Sequence, residues 1–510
     1  MLHAVCGGFL KLRCAASCGG DRWSNGAPHF KAPVEVTTPI ARFAMRLLSA
    51  IVVACAAFTT GFSLGNIQKN PLRSSSRTVI LKASVNAEKT SSDGASMATS
   101  TFNLAKSIIG AGVLSLPSGV AFYSDSPAAL VPAGIISLTM GLLAAYSFSL
   151  IGKACDQHKV DSFQDAWAKS VDPKTAWMIS FAITCKCFLA SLAYSIIIGD
   201  SFSAIFKTFN APALITQRTN VILAMTLFVL LPLCSLKSLA ALAPFSLLGL
   251  GGTLYTAVFM GIRYFDGSYA PGGQFFSSLA AAARPVFNKK GTGDISKLSI
   301  LISMLSTAYI AHYNAPRFLK ELRQPTMARY NQFVLQAFFA SILTFIFMKS
   351  IGFLTFGGST LGFILNNYAS TDALATFARL AIGLALLTGY PFTFSALKDG
   401  IFDLAKTPSE KRSGLSNSLT VGLLSIVTIL AIVLKDVGIV VSISGALFGA
   451  ALVFCVPAAM NIANSKALEK STGKAQNKPE ILLNYLMVIL GAAMGALGVG
   501  VSVLRQMGKL

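Results

Sequence analysis

TFNLAKSIIGAGVLSLPSGV, residues 101–120, is apolar enough for a bilayer yet interrupts itself with polar and helix-breaking residues. Asn103, Lys106, Ser107 and Gly110 fall at i, i+3, i+4 and i+7, so a helix through them puts all four on one face. Gly110, Gly112 and then Pro117 would weaken that helix near its middle. Broken helix at membrane depth survives only where protein or a watery cavity satisfies the freed N–H and C=O groups. The half-helix ends so exposed, positive at the N–H side and negative at the C=O side, suit a small charged ligand. Taken alone, the stretch fits equally well a helix that uses small residues to pack closely on its neighbours.

The surrounding composition decides the environment. The chain has 510 residues, 54% hydrophobic and 12% charged, whereas soluble domains carry about a quarter charged residues. A soluble protein is excluded. The net charge of +22 would suggest nucleic acid in a soluble chain. Here the basic residues sit in loops and in the N-terminal arm, as in membrane proteins facing anionic headgroups, and no nucleic-acid signature accompanies them. The expected partner surface is the lipid bilayer. The nine cysteines are scattered; Cys185 with Cys187 and Cys14 with Cys18 lack a second pair at zinc spacing, so no metal site is expected.

Residues 1–100 form a separate segment. Arg42 and Arg46 precede the apolar run LLSAIVVACAAF, which ends in Cys55-Ala56-Ala57 directly before Phe58. Residues 45–57 thus have the layout of a secretory signal with its cleavage site. Residues 58–100 are rich in Ser and Thr and basic at Lys69, Arg73, Arg77, Lys82 and Lys89. Signal, phenylalanine and basic tail together resemble the bipartite presequence of algae with secondary plastids, with Met45 as the true start. The competing reading is a disordered cytosolic tail around an extra signal-anchor helix.

From residue 101 to 505, apolar stretches of bilayer length recur between short polar breaks. The expected spans are 101–122, 128–152, 176–206, 219–236, 239–263, 296–318, 331–356, 373–397, 415–435, 437–461 and 481–503. Loop charge orients them. With the N-terminus inside, Lys153, Lys159, Lys169, Lys174, Arg317, Lys320, Arg323 and Arg329 share the inner side with Lys406, Lys411, Arg412, Lys466, Lys470, Lys474 and Lys478. The loop 264–295, with Arg284, Lys289 and Lys290, dissents. Eleven spans allow a five-plus-five inverted repeat with one helix over, in which spans 1 and 6 correspond and both break at their middle. Span 6 obliges: Ser306, Tyr309, His312, Tyr313, Asn314 and Pro316 crowd its second half.

At these residues the chain resembles the amino acid/auxin permease family, which includes the vacuolar and the neutral amino acid transporters. The resemblance is carried by Asn103 to Pro117, by Ala308 to Asn314 with Phe318 to Leu322 and Arg323-Gln324-Pro325, by Arg379 with Tyr390-Pro391-Phe392, and by Ser442 to Gly449 ending in Pro457. It implies an all-α integral membrane protein of about eleven transmembrane helices with the LeuT-type fold, moving amino acids by coupling to H⁺ or Na⁺ and needing no other cofactor. It implies that Gly110, Ala111 and Gly112 offer backbone groups to the substrate's carboxylate and amine, with Tyr309 to Asn314 as the opposite wall. The sodium-coupled branch tends to place asparagine where this chain has Lys106. An ammonium there occupies or repels a cation site, so proton coupling is preferred. The family is more often vacuolar or plasma-membrane than plastidial.

The remaining polar residues are weighed one by one. His312 is the one histidine inside a span; it handles protons near neutrality or bonds a loosened carbonyl, and in either role it is expected to line the cavity. Asn103 is a cavity ligand or interhelical glue, and Ser107 shares its face. Thr388 is a candidate ion or substrate contact, although a hydroxyl bonded one turn back is commoner. Lys186 is read as snorkelling to the headgroups and Arg379 as an interfacial anchor. Enzyme readings fail, because no His-Glu-x-x-His, Gly-x-Ser-x-Gly or Walker A motif occurs and acidic residues are almost absent from the spans. The rival to a transporter is a non-transporting amino acid sensor of the same fold.

Overall fold

The computed structural model describes residues 94–236, 246–288, 295–473 and 477–506. The signal-like and transit-like readings of residues 45–57 and 58–100 therefore lie almost wholly outside the described residues.

The described chain is helical, with only isolated bridges between Ala95 and Leu322 and between Val286 and Gly357. Among the described residues, seven helices are long and apolar enough to cross a bilayer: Pro127–His158, Pro173–Thr208, Met327–Phe356, Ala373–Leu404, Glu410–Val433, Val437–Thr472 and Lys478–Gly498. They are spans 2, 3, 7, 8, 9, 10 and 11. An eighth crossing is the pair Met97–Ile108 and Ala111–Tyr123, bent by 41° at its junction; this is span 1. Three more segments fill the remaining places: Arg218–Cys234 is span 4, Ser246–Phe265 is span 5, and Ile295–Ala308 with Ala315–Glu321 is span 6.

Both predicted breaks exist. The first half of span 1 starts at an N-cap, where the Ser96 hydroxyl accepts from the Thr99 amide at 3.2 Å. It stops at Ile108, and the chain passes through an extended Gly110 into a 3₁₀ turn, Ala111–Ser115, that runs into Leu116–Tyr123. Span 6 leaves the helix after Ala308, makes a 3₁₀ turn at His312–Asn314 and restarts at Ala315. Pro117 and Pro316 both stand in the first turn of a second half-helix. A missing N–H costs least there.

Packing sorts the spans into two groups. Span 7 lies along span 2 and against both halves of span 1, and the second half of span 1 packs on the first half of span 6. Span 3 packs along span 8 and touches spans 4 and 9. Spans 5 and 10 each contact both groups. Spans 7 and 10 bury 61% of their most apolar window, spans 9 and 11 only 28%, so the latter face lipid. Close approach of span 10 to span 6 depends on Gly445, where a methyl would overlap the Ser303 carbonyl.

Arg379 corrects an expectation. It is no interfacial anchor: it is 2% exposed, and its guanidinium donates to the carbonyls of Leu365 at 2.8 Å and Tyr368 at 2.6 Å. It thereby satisfies the end of the short 3₁₀ helix Ile364–Asn367.

Candidate functional site

The breaks in spans 1 and 6 face one cavity of about 110 Å³. Drug-sized ligand pockets run to roughly 300–1,000 Å³, so this one suits a small solute. From span 1 it is lined by Ser107, Gly110, Ala111, Gly112 and Ser115, and from span 6 by Thr307, Ala308, Ile310 and Tyr313. Span 3 closes it with Lys186, Ala190, Ala193, Tyr194 and Ile197, span 8 with Thr393, and span 10 with Val437 and Val441.

The i, i+3, i+4, i+7 face read from the sequence is the face the fold leaves unpacked. Leu104, Ala105 and Ile108 are buried, whereas Asn103 and Ser107 are exposed and Lys106 and Gly110 half-buried. Only its upper end reaches the cavity. Ser107 lines it, its hydroxyl donating back to the Asn103 carbonyl at 2.9 Å. Asn103 and Lys106 lie below it on the same face and are not lining residues.

The backbone at the break has unspent hydrogen-bonding capacity. Ala111 and Gly112 are the first residues of the second half-helix, so their N–H groups have no carbonyl of their own helix to reach. The last carbonyls of Met97–Ile108 end at the same place. A Cβ built on Gly110 meets no atom within 4 Å. The space beside it belongs to the cavity.

Span 6 departs from expectation. Tyr309 is fully buried and points away, its hydroxyl donating to the Ser137 carbonyl of span 2 at 2.9 Å. His312 is also fully buried; Nε2 lies 3.0 Å from the Ala144 carbonyl and 2.9 Å from the Ser147 hydroxyl. A carbonyl can only accept, so Nε2 carries the proton, and Nδ1 has no partner. Asn314 stands outside the cavity as well. The physical reason is that the chain is no longer α-helical between Ala308 and Ala315, so α-helical phase does not say where side chains point. The wall is made by their neighbours Ile310 and Tyr313.

Thr388 is not a cavity residue; its hydroxyl donates to the carbonyls of Leu384 at 3.0 Å and Ala385 at 3.1 Å, one turn back. Lys186 is the residue that the sequence reading misplaced. It lies nine residues into a helix that starts at Trp177, about 13 Å from that end, and is only 9% exposed. It is too deep to reach the headgroups. Its ammonium donates to the Tyr313 hydroxyl at 3.2 Å and lies 4.6 Å from the centre of that ring. The available signal was the pattern Lys186, Ala190, Ala193, Tyr194, Ile197, one helical face that is small where the cavity is and polar at its rim. Among the described residues, no group of three or more His, Cys, Asp or Glu side chains could hold a metal ion.

Comparison with known proteins places this architecture. A family model described as transmembrane amino acid transporter protein matches residues 93–504. A Bos taurus protein provisionally named sodium-coupled neutral amino acid transporter 11 is 25% identical over 402 residues, 78% of this chain and 81% of its own length. Vacuolar amino acid transporter 5 of Schizosaccharomyces pombe is 25% identical over 367 residues, 71% of this chain and 83% of its own. A crystal structure of a mutant manganese transporter from Eremococcus coleocola superposes with a TM-score of 0.50 at 13% identity, covering 87% of this chain and 92% of that one. That likeness concerns the fold, an all-α membrane bundle of LeuT type, and not the cargo.

Proposed function

The chain belongs to the transmembrane amino acid transporter family, and on that premise we propose that it is a secondary active transporter that carries an amino acid across its membrane together with protons. The observation that carries the reading is the single small cavity shared by both helix breaks. The N–H groups of Ala111 and Gly112 receive the substrate carboxylate, and the carbonyl end of Met97–Ile108 receives its ammonium. Ser107 and Tyr313 supply further polar edges. The packing supports alternating access in which spans 1, 2, 6 and 7 move as one body against spans 3, 4, 8 and 9, with the cavity between them.

Proton coupling is preferred because Lys106 already places a fixed cation one turn below the break, on the face that leads to the cavity. The name of the Bos taurus relative favours sodium instead. Radiolabelled amino acid uptake into proteoliposomes under an imposed pH gradient, with and without Na⁺, separates the two. Uptake driven by the gradient alone supports the proposal. Uptake that requires Na⁺ overturns proton coupling and keeps the transporter. Binding without any exchange points to the sensor.

The membrane is proposed to be an internal one, in line with the vacuolar relatives. Phe58 after Cys55-Ala56-Ala57 favours the plastid envelope as the second reading. A fluorescent protein fused after residue 100, compared with the full chain, distinguishes them.

A further inference from the structure

Among the described residues, Lys186 is a cation without an anion. It is nine-tenths buried at the cavity wall, and its one hydrogen-bond partner is the neutral hydroxyl of Tyr313. It pairs with no carboxylate among the described residues, and neither Asp nor Glu lines the cavity. Arg379, Lys349 and Lys398 are also buried without a carboxylate among the described residues, but each donates to a backbone carbonyl, whereas Lys186 has only a hydroxyl and stands at the cavity wall. Leaving an ammonium uncompensated in a water-poor membrane interior is costly, and such residues mark ligand sites.

Charge balance then selects a ligand. The cavity offers two features that attract anions, the Lys186 ammonium and the N–H groups at the start of Ala111–Tyr123, against one that attracts a cation, the carbonyl end of Met97–Ile108. A neutral amino acid, one carboxylate and one ammonium, satisfies the two helix ends and leaves Lys186 bare. A ligand with a second carboxylate closes the account. We propose that the transported substrate is an acidic, dicarboxylic amino acid whose side-chain carboxylate pairs with Lys186. This rests on the transporter reading above and deepens it. Tyr313 holds the ammonium by its hydroxyl and ring face, so the charge is aimed across the cavity before the substrate arrives. Ala190 and Ala193, one and two turns along the same face, leave the room for the ligand chain.

The test is counterflow of radiolabelled L-glutamate, L-aspartate and L-alanine in proteoliposomes holding the full chain, at fixed pH gradient, with chloride or gluconate as the anion. The wild type is expected to exchange the acidic substrates at least tenfold more efficiently than alanine, in either anion. In Lys186→Gln the glutamate-to-alanine ratio is expected to fall about 30-fold or more, the scale on which losing one partner of a desolvated charge pair is felt. Lys186→Arg is expected to restore most of that ratio. A lysine with a purely structural role lowers both exchange rates and leaves the ratio unmoved, which overturns the proposal. So does a wild type that exchanges alanine but not glutamate. Alanine exchange that needs chloride identifies an inorganic anion as the partner of Lys186 and equally overturns it. In these three cases the transporter reading stands, whereas exchange of no amino acid removes both.

Discussion

At the break in span 1 the chain turns backbone and two serines, Ser107 and Ser115, toward the cavity. At the break in span 6 it drives Tyr309 and His312 the other way, while Tyr313 faces the cavity. Tyr309 reaches the Ser137 carbonyl and His312 the Ala144 carbonyl, both in span 2. The same stretch of span 2 is gripped from behind by the fully buried Lys349, which donates to the Ala133 carbonyl at 2.6 Å and to the Ser137 hydroxyl. Phe338 and Phe345 of span 7 stack around Tyr309, with Phe345 at 4.9 Å between ring centres. The break in span 6 is therefore plugged into its own bundle by side chains. The break in span 1 has a Gly110 with no atom near its missing Cβ. One break is anchored and the other left free to meet a ligand.

Substitutions at the two breaks should then fail differently. The largest effect is expected from Tyr309→Ala, which empties a fully buried aromatic site and should cost about 3–5 kcal/mol of stability. Thermal unfolding in detergent measures this as a large drop in midpoint. If the midpoint barely moves, span 6 is not anchored in the way described. Gly110→Val should do the opposite. Gly110 has φ −109° and ψ −171°, extended backbone open to any residue, so the fold should survive. The added branches occupy the cavity, and uptake should fall about 100-fold, the usual scale for displacing a bound reactant by an ångström. A lower unfolding midpoint in place of lost uptake would erase the contrast between the breaks.

That contrast also explains how much was legible in the sequence. Helical phase is preserved through Met97–Ile108, so the face of Asn103, Lys106, Ser107 and Gly110 could be read from spacing, and it is the unpacked face. The existence and place of both breaks were likewise legible, since Gly, Pro and polar residues act locally on the backbone. What could not be read is the direction of side chains in an unwound segment. Tyr309, His312, Tyr313 and Asn314 look equivalent as letters, and only tertiary contact with span 2 sorts the first two from the third. Lys186 was misread for a different reason. Its depth was legible, since the expected span 176–206 agrees with Trp177–Thr208; what spacing does not show is that the side chain turns inward onto Tyr313 of span 6 and not out toward the membrane surface.

His312 offers a smaller and sharper test. His312→Leu removes the donor to Ala144 and leaves that site without its ring contacts to Phe148 and Phe338, an expected loss of about 1–3 kcal/mol. The pH dependence of uptake should keep its shape, because the ring does not line the cavity. A flattened profile in a folded His312→Leu protein would return the histidine to proton transfer. Thr388 marks the bottom of the scale. Its hydroxyl is spent on the Leu384 and Ala385 carbonyls, which already serve the helix ladder, so Thr388→Val removes a redundant bond and nothing else. Stability should change by less than about 0.5 kcal/mol, and uptake by less than about twofold at any Na⁺ concentration. A coupling ion held between spans 1 and 8 would instead make this variant's uptake depend steeply on that ion. The cavity would then extend past Thr393 toward the outer half of span 8, and the free break in span 1 would face a second ligand as well as the first.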